Sequence, residues 1–324
     1  MLRKRIKFLL VISLAAIGVI ALLWWLLEPE QQEVGRFSYG LAPVFAKGKW
    51  GYLNEKGKIV ISPQFRWAGI FSEGLAVAQV ELRNGTAKVG FINAAGKMVI
   101  EPRFDEAHGF LEGLSPVMIK LNRKWGFIDK TGGVVIDLKF DQVRGFTEGL
   151  AAVQVGQDWG YIDRTDEDVI RPQYALAHPF QEGLALVYTE RHSSPEKGAE
   201  FRKAGFIDRT GKFVIAPQYD KAWPFSQGLA RIEIDGKQGA IDTTGKMVIE
   251  AKYDRLGGFE EGLAEACLRW KCGYINVRGD SVIPPTFVEA RPFFQARAEV
   301  KLADSNSRWV TIDRAGNIVR DAGR

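Results

Sequence analysis

Residues 124–153 read KWGFIDKTGGVVIDLKFDQVRGFTEGLAAV, and this stretch contains three phrases that recur along the chain. The first, WGFID here, has eight copies, and seven of them keep the Gly. The second phrase more often has the form GKIVISPQF, which begins at Gly57 in the first repeat. The third begins with an anchoring Phe and continues as E-G-L-A, and its anchors are Phe37, Phe71, Phe110, Phe146, Phe180, Phe225, Phe259 and Phe293. Eight copies predict eight structural repeats.

Each phrase has the pattern of a short strand. The G-L-A-x-V phrase is apolar on both faces, which is typical of a strand covered on both sides. In W-G-Y-I-D the Gly stands opposite bulky neighbours, which indicates a close approach of another backbone. The V-I-x-P phrase stops at Pro, which cannot donate to a ladder. A D-x-x-G loop such as Asp129–Gly132 predicts a hairpin between the last two strands.

These observations predict an all-β fold made of eight three-stranded antiparallel meanders in tandem. One meander cannot bury its own aromatic face, but neighbouring copies can cover one another. Two arrangements fit, an open superhelical solenoid and a closed ring of the β-propeller type. Propeller blades usually have four strands, so the three-strand count favours the open array.

The full pattern K-W-G-[YF]-I-[DN]-x-x-G-K-x-V-I-x-P-x-[FY], followed by F-x-E-G-L-A, resembles the bacterial WG-repeat family over residues 37–320. The resemblance implies tandem β repeats, often in surface or envelope proteins, and it implies no catalytic residues. The last repeat has Val310 in place of the Gly, and its G-L-A reads Ala296, Arg297, Ala298. A more polar end repeat is expected of a cap. The Trp is replaced in four copies, at Val89, Ala204, Gln238 and Cys272.

The N-terminal segment predicts a membrane anchor. Residues 8–27, FLLVISLAAIGVIALLWWLL, contain no charge and would span a bilayer as a helix. The basic residues 1–7 place the N-terminus in the cytoplasm, residues 28–36 form a polar linker, and residues 37–324 form a periplasmic or extracellular repeat domain. A cleaved signal peptide is the alternative, but no small-residue cleavage pattern follows the apolar stretch. The expected location is therefore the inner (cytoplasmic) membrane, crossed once.

The basic charge does not indicate a nucleic-acid partner. The net charge is +5, and four positive charges lie at Arg3, Lys4, Arg5 and Lys7. The remainder of the chain is nearly neutral and has no basic patch of the kind that binds phosphate backbones.

The candidate binding residues share one repeat position, two residues before the anchoring Phe. They are His108, Arg144, His178, Trp223 and Arg291. Two interpretations stay open for this position, a stripe that contacts a ligand and an exposed loop that tolerates any side chain. The insertion Thr189–Lys203 in repeat five is likewise either a functional loop or a neutral one.

The sequence predicts neither an enzyme nor a metal or cofactor site. It contains no H-E-x-x-H, phosphate-binding loop or nucleophile elbow. The Asp or Asn after each W-G phrase recurs once per repeat, so turn capping explains it. The Glu of E-G-L-A is also periodic, whereas a catalytic pair would depart from the repeat.

Three functions remain to be weighed. A protein-binding scaffold in the cell envelope would use the long surface that repeat arrays expose. A glycan or peptidoglycan binder would need a row of exposed aromatic rings, although most repeat aromatics are needed for packing. A hydrolase would need a deep pocket with carboxylates outside the repeat pattern. The first is favoured, and a glycan-binding module is the alternative.

Cys267 and Cys272 are predicted to form a disulfide, because alignment of the repeats places them opposite each other on paired strands. An oxidising compartment would permit the bond. We expect no free thiol when the protein is denatured without reductant and titrated with a thiol reagent. Two reactive thiols per chain would exclude the bond.

Overall fold

The computed structural model describes residues 33–194, 198–303 and 308–319, and no side chain within residues 190–202. Every regular element in these ranges is a β-strand, so the all-β prediction is confirmed. None of the described residues forms a helix that could span a membrane. The predicted anchor, residues 8–27, and the basic residues 1–7 lie outside the described residues.

The strands form eight antiparallel sheets, one per repeat, in two compact units that are described separately. The first unit, up to Phe104, holds sheets one and two. Sheet one is β1 (Glu33–Val34), β2 (Leu41–Ala46), β3 (Lys49–Asn54) and β4 (Ile59–Phe65). Sheet two is β5 (Trp67–Ser72), β6 (Leu75–Glu81), β7 (Ala87–Asn93) and β8 (Met98–Phe104).

The second unit begins at Asp105 and holds sheets three to eight. Sheet three is β9 (Glu106–Ala107), β10 (Ser115–Ile119), β11 (Lys124–Ile128) and β12 (Val134–Phe140). Sheet four is β13 (Gln142–Val143), β14 (Ala151–Val155), β15 (Asp158–Ile162) and β16 (Asp168–Tyr174). Sheet five is β17 (Leu176–Ala177), β18 (Ala185–Ser194), β19 (Gly198–Ile207) and β20 (Phe213–Tyr219).

The remaining sheets repeat this order. Sheet six is β21 (Lys221–Ala222), β22 (Leu229–Ile234), β23 (Lys237–Asp242) and β24 (Met247–Tyr253). Sheet seven is β25 (Arg255–Leu256), β26 (Leu263–Leu268), β27 (Lys271–Asn276) and β28 (Ser281–Phe287). Sheet eight has three strands within the described residues, namely β29 (Glu289–Ala290), β30 (Arg297–Lys301) and β31 (Trp309–Asp313).

The prediction of three strands per repeat is wrong for seven of the eight sheets, which have four. The missed strand precedes the anchoring Phe and is usually only two residues long, as in β13, where Val143 pairs with Val153. Two residues cannot show an alternating pattern, so this strand has no periodic signal in the sequence. In sheet one this strand, Glu33–Val34, falls within the stretch predicted as linker. The strand count therefore no longer favours an open array over a ring.

The Gly of each W-G phrase is required by a close backbone approach. A Cβ built on Gly160 would lie 2.4 Å from the carbonyl oxygen of Ile170 on the neighbouring fourth strand. The same distance is 2.3–2.8 Å at the other six glycines of this position. A register shift between the third and fourth strands occurs at this point in each of the seven sheets. The predicted close approach is therefore confirmed.

The hydrophobic core lies between consecutive sheets within each unit. The aromatic residue after W-G packs on the anchoring Phe of the next repeat, as Tyr161 does on Phe180 with ring centroids 4.9 Å apart. The same pair recurs at 4.8–5.0 Å as Tyr52–Phe71, Phe127–Phe146, Phe206–Phe225 and Tyr274–Phe293. Ile and small residues of the adjoining strands complete each interface. Neighbouring repeats thus bury one another's aromatic faces.

We expect Gly160→Ala to lower the free energy of unfolding by about 1–3 kcal/mol, because the added methyl overlaps backbone atoms that cannot move independently. Denaturant unfolding of the full chain measures this loss. Gly258→Ala is the matched control, since no described heavy atom lies within 4 Å of its built Cβ. Equal losses for the two variants would contradict the close-approach explanation.

Candidate binding surface

The five candidate residues occupy equivalent places in the second unit. Each follows directly on the first strand of its sheet, as Arg144 follows β13 and His178 follows β17. The backbone N–H of each donates to the second strand, for example from Arg144 to Ala152 O at 2.9 Å. We call these five positions the edge row, and they are His108, Arg144, His178, Trp223 and Arg291.

The backbone carbonyls of the edge row help to join neighbouring repeats. The hydroxyl of Tyr161 donates to His178 O at 2.7 Å, and the hydroxyl of Tyr274 donates to Arg291 O at the same distance. Burial raises the pKa of both tyrosines, so these hydroxyls stay protonated as donors. The backbone of the row is therefore structural, and only its side chains are available for recognition.

His108, Arg144 and His178 form one electrostatic group across sheets three to five. The Arg144 guanidinium lies 5.3 Å from the ring centroid of Trp159, and its Nε donates to Ala177 O at 3.1 Å. The His108 ring lies 4.9 Å from that of Trp125. Burial, with the positive charge of Arg144, lowers the pKa of His178 to about 4. At neutral pH this group therefore has a cation beside a neutral imidazole.

Trp223 and Arg291 are each paired with a charged side chain. Arg231 lies over the Trp223 ring at 4.4 Å, and its Nη1 donates to Leu256 O at 2.6 Å in the next sheet. Arg291 lies over the Trp309 ring at 4.4 Å and forms an ion pair with Glu299. The row thus combines arginines, indole rings and carboxylates, and these groups support recognition by stacking, by hydrogen bonding and by charge.

The sequence analysis missed the charged residues beside the row on the second strands. They are Arg231, Glu265 and Glu299, at the position that is apolar in the first five repeats. Their place is fixed by the N–H groups of Trp223, Gly257 and Arg291, which donate to their carbonyls. A comparison of repeats position by position would have found them, because polar residues depart there from an apolar pattern.

Glu265 is the most unusual of these residues. Its side chain is 9% exposed, and its Oε2 has no hydrogen-bond partner among the described residues. The carboxylate fills the space above Gly257, where a Cβ would lie 2.0 Å from Glu265 Cδ. Burial raises the pKa of this carboxyl, and Arg255 and Arg231 partly oppose that shift. A buried carboxyl oxygen without a hydrogen-bond partner is costly, so Glu265 is unusual for this surface.

The periodic Glu of E-G-L-A has a structural role. Glu148 accepts a hydrogen bond from the backbone N–H of Gly183 at 3.1 Å, in the equivalent turn of the next repeat. Glu112, Glu182 and Glu261 make the corresponding bond to Gly149, Gly228 and Ala296. These bonds give the carboxylate of these four repeats a structural role.

The Asp or Asn that follows each W-G phrase caps its hairpin, as predicted. Asp129 Oδ1 accepts hydrogen bonds from Thr131 N and Gly133 N, both at 2.9 Å. The hydrogen bond from the Thr131 hydroxyl lowers the pKa of this carboxyl. Within the described ranges, no group of three His, Cys, Asp or Glu side chains is arranged to hold a metal ion.

The structure also describes the two cysteines and the insertion. Cys267 and Cys272 are paired opposite each other on β26 and β27, and their sulfurs are bonded. Within the insertion Thr189–Lys203, the backbone of residues 189–194 lengthens β18 and that of residues 198–203 lengthens β19, so that each strand has 10 residues. An apolar cavity of about 140 Å³ lies between β24 and sheet seven, next to Tyr253 and Tyr274, and no carboxylate lines it.

The fold and the edge row define a tandem all-β repeat protein with a mixed charged and aromatic surface. The family model described as "WG containing repeat" matches eight segments, residues 25–50, 50–81, 90–120, 125–157, 159–190, 205–237, 239–269 and 273–304. The chain therefore belongs to the WG containing repeat family, as its motifs predicted. No curated protein matches the chain.

Solved structures also resemble the chain. A crystal structure of a eukaryotic initiation factor is 11% identical, covers 90% of this chain and 88% of its own, and has a TM-score of 0.59. The β-propeller domain of the Trilobed protease from Pyrococcus furiosus is 11% identical, with 78% and 99% covered and a TM-score of 0.42. At such low identity the first likeness shows the fold alone.

Burial of Glu265 makes stability depend on pH in a defined direction. The raised pKa means that the fold disfavours the ionised carboxyl, so this penalty is absent below the unfolded pKa and grows as pH rises through it. We therefore expect Glu265→Gln to gain stability over the parent at about pH 7 and to lose that advantage at about pH 4. Thermal unfolding at both values measures the difference.

Glu233→Gln is the control of opposite sign. Lys221 Nζ lies 2.9 Å from Glu233 Oε1 and lowers the pKa of that carboxyl. The stability that ionised Glu233 contributes is present above its unfolded pKa and is lost as pH falls. We therefore expect Glu233→Gln to be less stable than the parent at about pH 7. If the difference in stability between Glu265→Gln and the parent does not vary with pH, the assignment of a raised pKa to Glu265 is contradicted.

Proposed function

We propose that this protein is a non-catalytic scaffold, anchored in the cell-envelope membrane, that binds a protein partner through the edge row. The observation that carries the proposal is the composition of the row and its neighbours, in which Arg144, Arg231 and Arg291 stack on indole rings beside the carboxylates Glu265 and Glu299. Arg and Trp are the residues that most often dominate the binding energy of protein interfaces.

The row favours a protein over a glycan as the partner. A glycan binder would offer open aromatic faces for sugar rings to stack on. Here Tyr161 and Trp159 are buried, while Trp223 and Trp309 are covered on one face by arginines. A half-buried surface of both charge signs, with fixed hydrogen-bonding groups, suits the charged and polar rim of another protein.

The membrane location follows from the N-terminal sequence. An uncharged stretch of 20 residues after a basic segment supports a signal anchor with the repeats outside the cytoplasm. The bonded pair Cys267–Cys272 is compatible with an oxidising compartment. The open superhelical array and the ring both stay proposals for the arrangement of the eight sheets.

Site-specific photocrosslinking in cells tests the scaffold function. A photoreactive residue at Arg144 or Arg291 should give crosslinked bands that mass spectrometry assigns to one recurring protein. Arg171 is the matched control, because it is an exposed Arg of sheet four on the opposite edge strand, β16. Arg144→Glu should reduce the crosslinks formed from Arg291, since both residues would contact the same partner.

Two outcomes would contradict this function. Crosslinks of equal yield from Arg144 and Arg171 would show that the edge row has no special role. Crosslinked material that a peptidoglycan hydrolase digests, with no protein attached, would support the glycan-binding alternative instead.

A further inference from the structure

Two hairpins of the second unit present apolar side chains to solvent. Leu121 is 96% exposed and Trp270 is 92% exposed, the highest values among the described large hydrophobic side chains. Both residues lie in the turn between the second and third strands, in sheets three and seven respectively. Neither side chain is covered by the described residues, so both are accessible to another surface.

The turn that holds Trp270 is strained. Arg269 and Trp270 have φ of 51° and 66°, both in the left-handed region. The equivalent turns Lys47–Gly48 and Asp235–Gly236 use Gly at the second position, which is the usual solution for this type of hairpin. A bulky residue there is unfavourable, and such strain is found mainly at functional sites.

The surrounding structure holds the strained turn in place. Cys267 and Cys272 are bonded directly across its base, three and two residues from Trp270 respectively. The backbone N–H of Arg269 donates to Asp254 Oδ2 at 2.6 Å. The turn is therefore a fixed support that presents one indole ring to solvent.

Basic residues flank both exposed side chains. Lys120 and Arg123 lie beside Leu121, and Arg269 and Lys271 lie beside Trp270, all of them exposed. The nearby carboxylates Asp105 and Asp254 accept hydrogen bonds from the backbone of these turns, at Lys120 N and Arg269 N. Leu or Trp within a frame of Lys and Arg is the combination that binds the interface of a bilayer containing anionic lipids.

In the first unit, the path of the chain brings a hairpin of the same kind near the proposed anchor. Glu33 pairs with Phe45, next to the hairpin Lys47–Gly48, so the chain enters this sheet at its second-to-third-strand hairpin. From Leu27, where the predicted anchor ends, to Glu33 the chain spans at most about 20 Å. In sheet one, this end therefore lies close to the bilayer to which the anchor is attached.

We propose that the Leu121 and Trp270 hairpin tips insert into the headgroup region of an anionic bilayer, so that the repeat domain itself docks on the membrane. The proposal goes beyond partner binding by the edge row, and it rests on the proposed membrane anchor. The ligand proposed for these hairpin tips is a lipid surface rather than a protein, and the experiment distinguishes these two ligands.

The test uses the full chain in nanodiscs of phosphatidylcholine, with and without phosphatidylglycerol. Leu121→Cys gives one labelling site for an environment-sensitive fluorophore, and Lys130→Cys is the matched control in the third-to-fourth-strand hairpin at the other end of the same sheet. We expect nitroxide headgroup lipids to quench the label at residue 121 several-fold more than the label at residue 130. The difference should increase with phosphatidylglycerol and decrease with salt.

Trp270 is tested without a new thiol near the disulfide. The difference in emission between the parent and Trp270→Phe isolates this indole, and brominated lipids should quench the difference signal. Equal quenching at residues 121 and 130, with a Trp270 signal that brominated lipids leave unchanged, would overturn the proposal. Flotation of the chain with nanodisc lipid tests the anchor separately, so its failure is distinguishable from failure of the tips to dock.

Discussion

The contact between the aromatic residue after W-G and the anchoring Phe of the next repeat is the interaction on which each unit depends. At Tyr161 and Phe180 the two rings are 4.9 Å apart, and the tyrosine hydroxyl donates to the backbone two residues before that Phe. One side chain thus supplies both apolar burial and a directional hydrogen bond to the neighbouring sheet. A sheet of this size cannot be stable alone, so the contact decides whether a repeat folds at all.

The other links between repeats follow the same logic. Glu148 accepts from the next turn at Gly183, and Lys124 Nζ pairs with Asp141 of the next repeat at 2.5 Å. These bonds recur at equivalent positions, so they explain most of the charged residues that the motifs contain. A few residues are not explained by the repeat pattern, and the two proposals for this protein depend on them.

The departures from the pattern fall on two different parts of the sheets. Arg231, Glu265 and Glu299 lie next to the edge row on the second strands, where the first five repeats have apolar residues. Leu121 and Trp270 lie at the turns between the second and third strands. A scaffold that holds a protein partner at one place and docks on a bilayer at another would need such a separation, because protein surfaces and lipid headgroups are recognised by different groups.

The amino-acid sequence by itself determined the features that depend on local chemistry. The Gly of W-G recurs because only a residue without Cβ fits 2.4 Å from the carbonyl oxygen of a neighbouring strand, as at Gly160. The Trp beside it is replaced in half of the repeats, since its position requires only a side chain that packs. The Asp caps and the opposed Cys267 and Cys272 likewise follow from spacing within one hairpin.

The tertiary structure determined the features that residue spacing does not predict, namely strand pairing, contacts between sheets, burial and exposure. A first strand of two residues has no periodicity, so only pairing such as Val143 with Val153 reveals it. The acceptor of Tyr161 and the partner of Glu148 lie 17 and 35 residues away, in a different sheet, and contacts between sheets cannot be inferred from a pattern within one repeat. The buried carboxyl of Glu265 and the exposed indole of Trp270 became visible for the same reason, because burial and exposure are properties of packed sheets.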